Sequence, residues 1–263
     1  MTAPRDGAPA DRPVSVRPAL TAAWLDLVLL NYAVSPDALR PYVPAGTELD
    51  TYEGTTYVSV VGFRFARTRV FGVAVPGHVN FEEVNLRFYV GRPASEGWRR
   101  GVVFIREMVP RRAIAWTARA WYNEPYRTLP MRHDIARRAD GWPVSVRYQW
   151  RRGTTWEGLS ARTDREPAPF AAGSEEAFIA EHYWGYTRQR DGSTIEYRVA
   201  HPGWRAATAS EARLDADVRA LYGAPFDTVL GTEPRSAFIA DGSPVTVYRP
   251  VRLPDDGARS SRA

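Results

Sequence analysis

The stretch Asn80-Phe-Glu-Glu-Val-Asn-Leu-Arg-Phe-Tyr-Val90 sets the reading of the whole chain. From Glu83 it alternates without a break: Val84, Leu86, Phe88 and Val90 fall on one side, and Glu83, Asn85, Arg87 and Tyr89 on the other. A period of two is the mark of a β-strand. One side is wholly apolar, while the other carries a carboxylate, an amide, a guanidinium and a phenol, successive members standing about 6–7 Å apart. Exposed strands show Thr, Ser and loosely chosen charges to water. This row reads instead as the wall of a binding cavity, with a polar exposed face as the competing reading.

Outward from that strand, the composition narrows the chemistry. The chain has 263 residues, enough for one large domain, and no cysteine, so disulfides, thiolate metal ligands and a cysteine nucleophile are ruled out. That suits a reducing cytoplasm, which is the expected location. All 35 basic residues are arginine. A Schiff-base enzyme needs a side-chain amine that can lose its proton, and a guanidinium neither deprotonates nor condenses with a carbonyl. The net charge of +5 would suit nucleic acid only if the arginines gathered on one face. They occur as scattered pairs such as Arg99-Arg100 and Arg137-Arg138, interspersed with acids, so no nucleic-acid partner is expected. The N-terminal residues lack the apolar core of a signal peptide, and the longest apolar run, Leu27 to Leu30, is too short to span a bilayer, so no membrane partner is expected either.

Residues 1–16 and 253–263 are rich in Pro, Ala, Gly and charge, and read as disordered tails around a single domain at 17–252. Within it, Ala23 to Ala33 is a buried strand or a short helix, and Ser35-Pro36-Asp37 starts a helix that Pro41 cuts short. Glu53-Gly54 marks a hairpin between Glu48–Tyr52 and Thr55–Phe65, and Val102 to Val109 is the hairpin partner of the central strand. Pro110 to Trp121 changes to helical spacing. Strands follow at 131–138, 143–152 and 155–163, then a helix opened by Ser174 and ending near His182. A hairpin turns at Asp191-Gly192, a strand covers Arg205 to Arg213, a helix runs from about Asp215 to Tyr222, and a last hairpin turns at Asp241-Gly242. About ten strands against three or four short helices describe a mainly β (α+β) fold, a closed or nearly closed antiparallel sheet with helices at its ends.

Four of these segments, His78-Val-Asn-Phe-Glu-Glu-Val-Asn-Leu-Arg-Phe-Tyr-Val90, Phe104-Ile-Arg-Glu-Met-Val-Pro-Arg111, Tyr122-Asn-Glu-Pro-Tyr126 and Glu181-His-Tyr-Trp-Gly-Tyr186, together resemble the YqjF-like bacterial family of unknown function. That family resembles a branch of the acetoacetate decarboxylase-like superfamily, which implies a cone-shaped antiparallel β-barrel with a site inside. Decarboxylases of the superfamily carry an aromatic-x-Glu at a strand start and later an Arg-Glu followed by Pro-Lys-Lys, whose first lysine forms the Schiff base. Phe81-Glu82-Glu83 resembles the first pattern and Arg106-Glu107-Met108-Val109-Pro110-Arg111-Arg112 the second, with arginines at the lysine positions. The resemblance makes Glu83 the pocket carboxylate and puts Arg111 where the nucleophile would stand. The Schiff-base mechanism does not carry over.

The candidate site is therefore Glu83 and Arg111 as the catalytic pair, with Asn85, Arg87, Tyr89, Arg106, His182 and Tyr186 around a ligand. Arg106 and Glu107 alternate in direction, so only one faces the lumen, and Arg106 is the one expected to pair with Glu83. A plain structural ion bridge is an equal reading of such a pair. Histidines 78, 133, 182 and 201 lack the close spacing of a metal motif, and no phosphate loop or dinucleotide fingerprint appears, so neither metal nor cofactor is expected. Three functions suit these residues. One is a non-catalytic binder of a small anionic, carbonyl-bearing metabolite. The second is a non-covalent acid–base enzyme (lyase or isomerase type) on a keto or enol acid, using Glu83. The last is a structural or interaction protein whose barrel is filled by its own side chains; a homo-oligomer is compatible with all three.

Overall fold

A computed structural model describes residues 17–111 and 123–253. β1 (Pro18–Val34) leads into one helical turn, α1 (Pro36–Leu39), a 3-10 turn at Arg40–Tyr42 and the short β2 (Glu48–Leu49). Three long strands follow, β3 (Thr56–Val70), β4 (Phe81–Ala94) and β5 (Gly97–Val109), and then β6 (Tyr126–Thr128). Next come β7 (Met131–Arg137), β8 (Pro143–Arg152), β9 (Thr155–Arg162), β10 (Ala168–Pro169) and α2 (Glu175–Ala180). The chain continues through β11 (Trp184–Arg188), β12 (Thr194–Ala200), β13 (Arg205–Thr208) and β14 (Glu211–Asp215). It closes with α3 (Val218–Tyr222), α4 (Phe226–Leu230), β15 (Ser236–Tyr248) and β16 (Val251–Arg252).

The large sheet runs β15-β1-β3-β4-β5-β11-β12, and β12 pairs back onto β15 through Val199↔Val247 and Ala200↔Thr246. The circuit is thus closed. All its contacts are antiparallel except β5–β11, a short parallel join at Trp184↔Gly101 and Gly185↔Val102. The β7, β8 and β9 strands form as the sequence indicates, but in a second, four-stranded sheet, β14-β9-β8-β7, laid on the outer face of the ring. Gly62 of β3 makes that contact possible, because a Cβ there would stand 2.6 Å from Tyr148 and 2.9 Å from Leu159 of the second sheet. Asp26, buried at a positive φ of 58°, ties the layers by accepting from Arg64 of β3 and Arg137 of β7.

Both faces of β4 are consequently buried. Val84, Leu86, Phe88 and Val90 join Val146, Tyr148, Trp150 and Leu159 in the core between ring and second sheet. The opposite face looks into the ring. One end of the interior is closed by α2, whose Ser174 cap accepts from the Ala177 amide at 3.1 Å and whose Phe178 and Ile179 pack inward.

Several local readings change in the structure. Ala23 to Ala33 is strand, and Glu53-Gly54 is a turn, but β2 pairs with β4 rather than β3, since Glu48 lies opposite Gly91. Asp241-Gly242 does not reverse the chain: both halves of β15 pair with β1, and Gly242, at φ 85°, absorbs a bend opposite Leu25 where a Cβ would meet the Trp24 carbonyl. The strand read at Arg205 to Arg213 breaks at residues 209–210 into β13 and β14, one in each sheet. The helix read from Asp215 starts at Val218 behind the Asp217 cap. Leu253, read as tail, is buried and donates its amide to Thr194 O. Of the helix read at Pro110 to Trp121 only Pro110 and Arg111 are described, neither of them helical, and its remainder and the rest of the two tails lie outside the described residues. Among the described residues no helix is long and apolar enough to cross a membrane.

Gly62→Val should destabilise the chain by about 1–3 kcal/mol through overpacking against Tyr148 and Leu159. Thermal melting is expected to drop by several degrees, roughly 2–4 °C per kcal/mol for a chain of this size. An unchanged melting temperature would show that the second sheet does not seat on β3.

Candidate functional site

The interior of the ring is not filled by its own side chains. It holds a cavity of about 310 Å³ that reaches solvent beside Phe71 and Val75, which are 38% and 42% exposed. Strand register arranges the wall in storeys along β4. Phe81 lies opposite Phe65, Glu83 opposite Phe63, Asn85 opposite Val61 and Arg87 opposite Ser59. On the other flank Glu107 lies opposite Asn85 and Phe104 opposite Arg87. The mouth is therefore aromatic, the middle acidic, and the inner end, against α2, carries Arg87.

Of the residues singled out from the sequence, Glu83, Asn85, Arg87 and His182 line this cavity. Tyr89 shares their face but sits behind the wall, its hydroxyl against Ser59 at 2.6 Å and its ring 4.5 Å from that of His182. Tyr186 points out of the ring, covering Gly101 and donating to the Arg99 carbonyl at 3.3 Å. Arg106 takes the outer face, opposite Leu86, and does not pair with Glu83. Its charge is felt by Tyr222 of α3. Arg111 lies beyond the end of β5, exposed, and is not among the cavity-lining residues. A register shift between Leu86 and Arg87 brings Phe104 and Glu107 to the interior together.

The middle storey holds three buried carboxyls, Glu83, Glu107 and Glu124. Glu83 accepts from Asn85 Nδ2 at 3.0 Å and from the Tyr126 hydroxyl at 3.2 Å, and Glu124 accepts from the Tyr197 hydroxyl. Glu107 Oε2 is buried with no hydrogen-bond partner. No arginine among the described residues forms a salt bridge with any of them.

Desolvation therefore dominates their ionisation. Burial pushes Glu83 up to about 7 against the opposing pull of Asn85, Tyr126 and Arg87. Burial likewise lifts Glu124 to about 8, the Glu83 charge adding to it, and raises Glu107 well above the usual carboxylate range with help from Glu124 and Glu83. Near neutral pH this storey is a set of acids sharing few charges, able to donate to a ligand oxygen or exchange a proton with it.

Arg87 is buried with its Nε unpartnered, and its Nη2 makes a single long bond, 3.4 Å, to the Ile179 carbonyl. It is the only arginine among the described lining residues. His182 stands beside it. Burial, reinforced by Arg100 and Arg87 against the pull of Asp50, lowers its imidazole to about 4. The 3.4 Å approach of His182 Nε2 to Asp50 is thus a polar contact at neutral pH rather than an ion pair.

Glu107, Glu124 and Tyr126 were not singled out from the sequence. The alternation that makes one of Arg106 and Glu107 face inward was legible, but which one was set by pairing with β4. Glu124 and Tyr126 lie in the Tyr122–Tyr126 motif without any periodic signal to show their direction.

Compared with known proteins, residues 21–244 match the family model DUF2071, described as an uncharacterized conserved protein. The chain is 28% identical over 186 residues to the uncharacterized protein YqjF of Bacillus subtilis, covering 68% of this chain and 72% of that one. It is similar to a crystal structure of acetoacetate decarboxylase from Legionella pneumophila, with a TM-score of 0.62, 14% identity, and coverage of 96% of this chain and 94% of that one. It is also similar to the enduracididine biosynthesis enzyme MppR complexed with pyruvate, with a TM-score of 0.62, 12% identity, and coverage of 94% and 95%. At these identities the structural likeness establishes an acetoacetate decarboxylase-like fold.

The three raised carboxyls give stability a defined pH dependence. An unfolded glutamate releases its proton near 4.5, whereas Glu83 and Glu124 hold theirs to about 7 and about 8, and Glu107 is raised in the same direction, so the native state binds more protons and loses stability as pH rises from about 5 to 8. Glu107→Gln removes one such proton. It should raise the melting temperature at pH 8 by roughly 2–4 °C for each kcal/mol recovered and change it little at pH 5. A loss of stability at pH 8 would mean that Glu107 is charged and paired in the native state.

Proposed function

This chain belongs to the DUF2071 family of uncharacterized conserved proteins, and on that footing we propose that it binds a small anionic, carbonyl-bearing metabolite inside the ring without Schiff-base chemistry. The observation that carries this reading is Arg87: a guanidinium taken out of water, with an unpartnered Nε and one long hydrogen bond. A buried charge left so poorly paired is costly. A ligand carboxylate on its planar fork would satisfy two N–H donors at once. The protonated acids one and two storeys above supply donors for the carbonyl oxygen, which a set of ionised carboxylates would repel.

The pyruvate in the MppR structure supports the ligand class by analogy of fold, since pyruvate is an anionic carbonyl compound. The absence of lysine removes the lysine Schiff-base route. A second reading, a non-covalent acid–base enzyme on a keto or enol acid, is favoured by Glu83, whose carboxyl is pushed up to about 7 by burial and so can both take and return a proton near neutrality. Tyr126 and Asn85 hold that carboxyl in place. Turnover separates the two readings; the bound geometry is the same for both.

Calorimetric titration of the full chain with pyruvate tests the shared part. Arg87→Met should weaken binding roughly 10- to 100-fold, the range expected for losing charge-assisted hydrogen bonds. Unaltered affinity would remove Arg87 from the site. Borohydride reduction in the presence of pyruvate should leave every side chain at its native mass, and a side-chain adduct would contradict the non-covalent reading.

A further inference from the structure

We infer that the ligand carries an aromatic or branched apolar tail, and that Trp24, Phe65, Phe81 and Trp204 form the subsite that selects it. This rests on the reading that an anionic carbonyl compound occupies the cavity, and adds to it the identity of the tail.

The storey order gives the direction. Arg87 lies at the inner end against α2, so an acid head bound there points the rest of the molecule past Glu107 and Glu83 toward the mouth. What it meets next is aromatic. Phe65 stacks on Phe81 at 4.7 Å, and Trp24 meets Phe65 and Trp204 edge-on, each at 6.3 Å. His201 lies flat on Trp204 at 4.8 Å and extends the same wall. The indole N–H of Trp204 is turned away to Ser243 Oγ at 2.9 Å, leaving its ring to the cavity.

Size points the same way. A cavity of about 310 Å³ falls at the lower end of the range of small-molecule pockets, roughly 300–1,000 Å³. A three-carbon keto acid engaging Arg87 and the acids would leave the aromatic storey facing solvent. A ligand that covers those rings gains affinity in proportion to the apolar area removed from water, and an aromatic one adds edge and stacking contacts. The exposed Phe71 and Val75 at the opening continue the apolar path outward.

The test is a ligand series with a constant head: pyruvate, 4-methyl-2-oxopentanoate and phenylpyruvate, titrated calorimetrically into the full chain. Affinity should rise along the series, phenylpyruvate binding at least about 10-fold more tightly than pyruvate. Trp204→Leu should narrow that ratio while leaving pyruvate affinity within about twofold, because the two subsites are separate. Equal affinity across the series, or tightest binding of pyruvate, overturns the tail subsite and leaves the proposed function standing. Binding of none of the three overturns the proposed function and this inference with it. The series on the unaltered chain decides the matter even where a Trp204 variant does not fold.

Discussion

The closure of the large sheet, where β12 returns to pair with β15, is the constraint on which the rest depends. A sheet with open edges would leave the inner face of β4 against water, and its row of polar side chains would be an ordinary wet surface. Closing the circuit pairs the strand backbones with one another and turns that face inward, while α2 seals one end. The second sheet completes the arrangement from outside. Because it covers the apolar face of β4, that strand is buried on both sides and held rigidly, which is what a strand carrying a site requires.

Electrostatics follow from that enclosure. Among the described residues, three carboxyls and one guanidinium share a space where water is scarce, and the acids hold their protons because desolvation outweighs the hydrogen bonds from Asn85, Tyr126 and Tyr197. The contrast with the rest of the chain is instructive. Glu196 is equally buried but accepts from Arg92 and Arg99, and Asp26 from Arg64 and Arg137. Elsewhere this arginine-rich chain brings guanidinium partners to its buried acids; in the cavity, among the described residues, it does not. That difference separates structural ion pairs from a set of buried acids that can exchange protons.

The alternation at 83–90 was legible because side-chain direction along one strand is a local property, and it correctly separated core face from cavity face. The cap at Ser174 and the Pro41 stop were local in the same sense. The Asp241-Gly242 signal misled because a glycine at positive φ can bend a continuous strand as well as turn a hairpin, and only the partner strand distinguishes them. The expectation of Arg106 rather than Glu107 in the lumen failed for a related reason: it depended on which residue of β5 sits opposite Asn85, a matter of register between strands.

Composition and short-range pattern alone established a mainly β chain, a strand with one chemical face, and chemistry without side-chain amines or thiols. Those are properties of residue type and of spacing within a few positions. The convergence of Glu83, Glu107 and Glu124, the placing of Arg87 at the inner end, and the aromatic storey above them belong to the folded ring. They join residues from β1, β3, β4, β5 and later segments whose mutual facing is set by pairing and closure. No window of sequence contains that information, because the distances that matter run across strands rather than along them.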